Sequence, residues 1–145
     1  MNIIETVRSI LESFPKISQV CNSIHIDFAD PEPTSYGLSS TGDELLREDV
    51  LGNQLRQHSF MLYTTYSSIN DYERLNNSTA LAELSVWLHD QTGAEVETVI
   101  GAETCTGTLE KLSAYNGMLI NVPQGDLYDG VQYQLQIIAE YTVRR

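Results

Sequence analysis

The stretch Gly37-Leu-Ser-Ser-Thr-Gly42 is the first place in this chain to look for a nucleophile. A serine held in a tight, glycine-flanked turn is how many hydrolases expose an activated hydroxyl, but that turn needs glycine two residues after the serine, where Thr41 stands here. A polar loop is the simpler reading of the segment. It also lacks the Gly-Lys-Ser/Thr ending with which a P-loop lysine reaches phosphate.

The other chemically capable residues are scattered. His25, His58 and His89 have neither the His-Glu-x-x-His pattern nor the paired Cys/His spacing that holds zinc, so structural or surface roles are expected for them. Asp27, Asp30 and Glu32, and separately Asp126 and Asp129, offer oxygen ligands, but without the loop pattern that surrounds calcium with six or seven of them. Solvated turns fit these groups better. Tyr63, Tyr66, Tyr72 and Trp87 lack the interleaved Arg and Lys of a base-stacking surface and read as core or interface aromatics. No catalytic residue, metal site or cofactor is expected.

Charge and composition narrow the partners. The 145 residues include 20 Asp+Glu against 8 Lys+Arg, a formal net charge of -12, which disfavours generic binding to a phosphate backbone. No cation lies between Arg74 and Lys111, while six carboxylates do. Cys21 and Cys105 have no CxxC partner, and the first residues lack the basic and apolar regions of a secretory signal, so reduced, cytosolic thiols are expected. The apolar runs fall far short of the roughly 20 residues that cross a bilayer, and no membrane partner is expected. One domain over residues 1–145 suits the length, and 41% apolar residues suffice for a core without staples.

Elements that could position side chains follow from periodicity. Ile3, Ile4, Val7, Ile10 and Leu11 recur at helical spacing until Pro15. Residues 24–28 alternate as a half-buried strand does, with a second extended segment around 36–40 to pair with it. Residues 41–53 are polar, contain Gly42 and Gly52, and read as a loop. Residues 58–66 read as an inner strand. Asn70 and Glu73 form a capping box for a helix carrying Ala80, Leu81, Leu84, Trp87 and Leu88, with Gly93 in the position of a C-cap. Residues 94–102 read as a loop, and 104–112 and 118–122 as two strands. In the last segment Val131, Tyr133, Leu135, Ile137, Ala139, Tyr141 and Val143 share one face, while Gln132, Gln134 and Gln136 lead an uncharged polar face on the other. Such an amide face suits either solvent or packing against another subunit. The order predicts an α+β domain, a mainly antiparallel sheet with two helices packed on one face.

Several phrases occur together in order: Tyr36-Gly-Leu-Ser-Ser-Thr-Gly-Asp43, the run from Glu48 to Tyr63, Asn70 to Ser78, and Leu84-Ser-Val-Trp-Leu88. Over roughly residues 36–92 they resemble the tail terminator and minor capsid proteins of tailed phages and prophages of Gram-positive bacteria. That resemblance implies a non-enzymatic protomer of a ring, with six copies capping the head-facing end of the tail tube. The ring stops tube polymerisation and presents a docking surface to the head-side connector. Partners would be further copies of the chain, tail tube protein and connector, with sheath protein in a contractile tail. The place would be a virion tail or tail-like particle, assembled in the bacterial cytoplasm. The segment from Asp43 to Arg56 is then expected to be an extended loop or hairpin reaching across the ring. Asp49 and Arg56 join Gln132, Gln134 and Gln136 as subunit-interface residues, with Arg56 as an intersubunit salt-bridge partner. DNA would only pass through the lumen, from which an acidic lining would repel phosphate. The alternatives are a head-closure protein on the other side of the same joint and a small enzyme with an acidic pocket.

Overall fold

The computed structural model describes residues 1–15, 23–26, 35–66, 80–121 and 131–145. Within them lie helix α1 (Ile3–Glu12), strands β1 (Ser23–Ile26), β2 (Ser35–Glu48) and β3 (Gln54–Tyr66), helix α2 (Ala80–His89), and strands β4 (Glu95–Ile100), β5 (Glu103–Asn121) and β6 (Val131–Val143). The sheet runs β1-β2-β3-β6-β5-β4, and every neighbouring pair is antiparallel except β1 with β2. The chain is therefore an α+β protein with a mainly antiparallel sheet.

Helix α1 begins where Asn2 caps it, its side-chain oxygen accepting from the Glu5 amide at 2.8 Å, and it ends at Ser13, just ahead of Pro15. Ile3, Val7 and Leu11 are buried on one stripe. They join Leu84 and Leu88 of α2 and Leu38, Phe60, Leu62, Leu112, Leu135 and Ile137 of the sheet in a single core. Each fully buried leucine here contributes about 1.5–3 kcal/mol by leaving water. Phe14, just past α1, meets Trp87 of α2 with ring centroids 5.2 Å apart.

Strand β6 matches its alternating pattern: Leu135, Ile137, Ala139, Tyr141 and Val143 are buried, and the residues between them are half-exposed. It lies in the middle of the sheet, with β3 on one side and β5 on the other. Both its edges are used within the chain, so its amide-rich side can meet another subunit only as a face.

Several expected loops are strands. Residues 41–48 continue β2 instead of looping, because their backbone groups pair with β3 down to Glu48↔Gln54. The polar composition that suggested a loop reflects an exposed stretch of β2, which pairs with β3 while β3 pairs with β6 along its whole length. Residues 95–100 form β4 on the sheet border, where Val96 alone is fully buried and the other side chains lie open or half-open to solvent. The expected strands 104–112 and 118–122 are one long β5. The Asn116-Gly117 pair does not end it: the register with β6 slips between Tyr115 and Met118 and the strand continues. Gly93 is no helix cap; α2 ends four residues earlier, and the Gly93 amide donates to the Leu109 carbonyl on the way into β4. The capping box at Asn70 and Glu73, the groups at Asp27 to Glu32 and at Asp126 and Asp129, Cys21 and Tyr72 lie outside the described residues. Cys105 is a buried free thiol. Among the described residues, no helix is long and apolar enough to cross a membrane.

Candidate functional site

The hairpin of β2 and β3 carries the densest polar constellation in the described structure. Its turn is built by Asp49. One carboxylate oxygen accepts from the amides of Leu51 and Asn53, each at 2.9 Å, and the other accepts from the Asn53 side chain at 3.0 Å. Gly52 takes a left-handed φ of 87° there, a conformation in which a side chain would be strained. The hydrogen bonds from Asn53, side chain first, hold the Asp49 carboxyl below its ordinary pKa. The chain end is fastened to this turn as well, because the Arg145 amide donates to the Asn53 side chain at 2.9 Å.

Two register shifts shape the hairpin between this turn and the core. They fall between Leu45 and Arg47 and between Ser40 and Gly42, so Leu46 and Thr41 are the inserted residues. Side chains three apart on a regular strand face opposite ways. The second bulge overrides that rule: Ser40 pairs with Phe60 and Asp43 pairs with His58, and Phe60 and His58 share one face of β3. Ser40 and Asp43 thereby reach the same imidazole. Tyr141 enters from β6, where it pairs with Arg56.

Asp43 is the hub. Tyr141 Oη donates to Oδ2 at 2.6 Å, His58 Nδ1 donates to the same oxygen at 2.8 Å, and Arg56 Nε donates to Oδ1 at 2.5 Å. On its other side the ring faces Ser40, with Nε2 lying 2.5 Å from Ser40 Oγ. Arg56 Nη1 donates to Gln54 Oε1 at 2.9 Å, and Gln54 Nε2 donates to Glu48 Oε2 at 2.7 Å. One string of hydrogen bonds therefore runs along the hairpin, from its turn end to the edge of the core.

The environment is partly dry. His58 is buried, its ring lying against Phe60 with centroids 4.6 Å apart. The backbone around Asp43 is exposed, but its side chain turns inward and is only 24% exposed. Burial raises the pKa of its carboxyl. The hydrogen bonds from Tyr141, His58 and Arg56, together with the charge on Arg56, outweigh that and hold it below the usual carboxylate range. Burial, then the bond to Asp43 and its charge, push the Tyr141 phenol well up, and the Asp43 hydrogen bond raises Arg56.

The residues expected at a subunit interface are placed as follows. Arg56 is committed within its own chain to Asp43 and Gln54. Asp49 serves the hairpin turn and lines an open groove with Arg47, Leu55, Glu110, Thr142 and Arg144. Gln134 and Gln136 are half-buried on the side of β6 opposite the core, and Gln132 pairs in register with Thr65 and Asn121. The structure therefore does not gather the five into one site. Sequence reasoning passed over Ser40, Asp43, His58 and Tyr141 as a group. Counting back from Glu48↔Gln54 without bulges would place Glu44, not Asp43, opposite His58. Among the described residues no group of three or more His, Cys, Asp or Glu could hold a metal ion. No protein-family model matches the chain, and no curated protein matches it.

Proposed function

We propose that this chain is a tail terminator: a structural protein whose copies form a ring at the head-facing end of a phage tail tube. The observation that carries the reading is the β2–β3 hairpin. Around its far end Leu45, Leu46, Val50 and Leu51 are all exposed, with Val50 and Leu51 102% and 77% open. A cluster of large apolar side chains exposed around the turn at the end of the sheet is costly in water and is resolved by insertion against another protein surface. The internal string of hydrogen bonds stiffens this end of the sheet, so it can dock on a neighbour with little loss of conformational freedom.

Other features support the same reading. The order of elements and the mainly antiparallel sheet suit the protomer that the resemblance implies, and the Phe14–Trp87 contact suits two helices sharing one face. Partners on this reading are further copies of the chain, tail tube protein, the head-side connector and, in a contractile tail, sheath protein. No specific DNA or membrane contact is part of it, and the site of action is the virion tail after assembly in the bacterial cytoplasm. The half-buried amides of Gln134 and Gln136 offer a second packing face to a neighbour.

Light scattering and negative-stain imaging of the purified protein, alone and with tail tubes, test the proposal. Rings, or rings nucleated on tube ends, are expected. A protein that stays monomeric and leaves tube ends bare overturns it, and capture by connector protein alone would move the role to head closure.

A further inference from the structure

Beyond assembly, the geometry points to a nucleophilic serine: we propose that Ser40, His58 and Asp43 form an acyl-transfer site that hydrolyses small carboxylic esters. The connectivity is that of a nucleophile, a base and an orienting carboxylate. Ser40 Oγ lies 2.5 Å from His58 Nε2, and His58 Nδ1 lies 2.8 Å from Asp43 Oδ2. Both contacts lie within the hydrogen-bond reach that a nucleophile and its base require. Residue exposure fits the roles: Ser40 is open to solvent, while His58 is buried and fixed against Phe60.

The local backbone supplies a reason for the arrangement. The bulge at Thr41 is what turns Ser40 and Asp43 to one face, and bulges of this kind re-aim side chains beside functional sites. Tyr141 and Arg56 hold the Asp43 carboxylate in place from its other sides and act as positioning residues.

The chemistry balances with water alone. Ser40 Oγ attacks the ester carbonyl carbon as its proton moves to His58 Nε2. Collapse of the tetrahedral adduct breaks the C–O bond to the alcohol, which leaves with that proton. Water then gives its proton to His58 and attacks the acyl-serine; the carboxylic acid departs and Ser40 recovers its hydrogen. The open, shallow setting on a strand pair suits short acyl chains with an activated leaving group.

The test uses the full chain with a fluorophosphonate probe and p-nitrophenyl acetate. Peptide mapping of the labelled wild-type protein should find the phosphonate on Ser40 and not on neighbouring Ser39 or Ser59. Ser40→Ala and His58→Gln should each lower ester hydrolysis by roughly 100-fold or more, the scale of a lost base or nucleophile. Circular dichroism on the variants establishes folding, and the mapping needs no variant. Absence of the adduct at Ser40, labelling spread evenly over surface serines, or hydrolysis unchanged in folded Ser40→Ala overturns the proposal. Neither result touches ring formation, which is read separately by imaging.

Discussion

Replacing Tyr141 by phenylalanine removes one oxygen from the hub and little else. Its hydroxyl donates to Asp43 Oδ2 at 2.6 Å, and that carboxylate keeps His58 and Arg56 after the change. A hydrogen bond to a charged group is worth about 1.5–3 kcal/mol, and with two remaining donors and a side chain 24% exposed the loss falls at or just below the bottom of that range, about 1–1.5 kcal/mol. For a chain of this size that is a fall in Tm of about 3–5 °C. The dependence on pH carries a sharper signature. Asp43 titrates below its ordinary 3.8 in the folded protein, so its contribution is present above that pH and is lost as pH falls through the folded value. Tyr141 titrates above its ordinary 10.0, so its contribution is present below pH 10 and is lost as pH rises through the folded value. The stability difference between wild type and Tyr141→Phe should therefore form a plateau from about pH 5 to 9 and shrink on both sides. Urea unfolding followed through Trp87, the single tryptophan, measures it. Equal stability at pH 7, or a difference that stays constant from pH 3 to 11, would refute the reasoning.

Further outcomes can be checked independently. A side chain at Gly107 would place its Cβ 1.6 Å from the Thr142 carbonyl oxygen, so Gly107→Ala should cost about 3 kcal/mol or prevent folding, as thermal melts would record. Val50→Ser with Leu51→Ser should leave monomer stability within about 0.5 kcal/mol because both side chains are exposed, yet abolish rings and tube capping under the microscope. Asp49→Ala should lower Tm while Asp49→Asn recovers much of the loss, because the asparagine keeps an acceptor for the Leu51 and Asn53 amides. Leu84→Ala should destabilise by about 2–5 kcal/mol, since Leu84 is fully buried in the shared core, and chemical denaturation would read the change.

Much of the fold was legible along the chain wherever one local period decided it. Helix α1 and strand β6 emerged from their 3.6- and 2-residue patterns, because one buried face imposes its spacing without reference to distant segments. The outer half of β2 and strand β4 read as loops from composition alone for the opposite reason, a hairpin over residues 43–56 being expected only from the resemblance. Their polar residues are tolerated on exposed strands whose backbone partners lie elsewhere in the sequence, and composition says nothing of those partners.

The candidate site belongs to the second kind of information. The amino-acid sequence by itself determined the acidic balance, the α+β class and the alternation that buries Tyr141 on the core side of β6. Only the tertiary structure decided that Asp43 meets His58, Tyr141 and Arg56. That meeting depends on the bulge at Leu46, which moves the pairing by one residue, and on β6 crossing to lie beside β3; the bulge at Thr41 then brings Ser40 to the same imidazole. A one-residue slip reverses every side chain beyond it, and the energy difference that selects the slip is spread over the whole sheet.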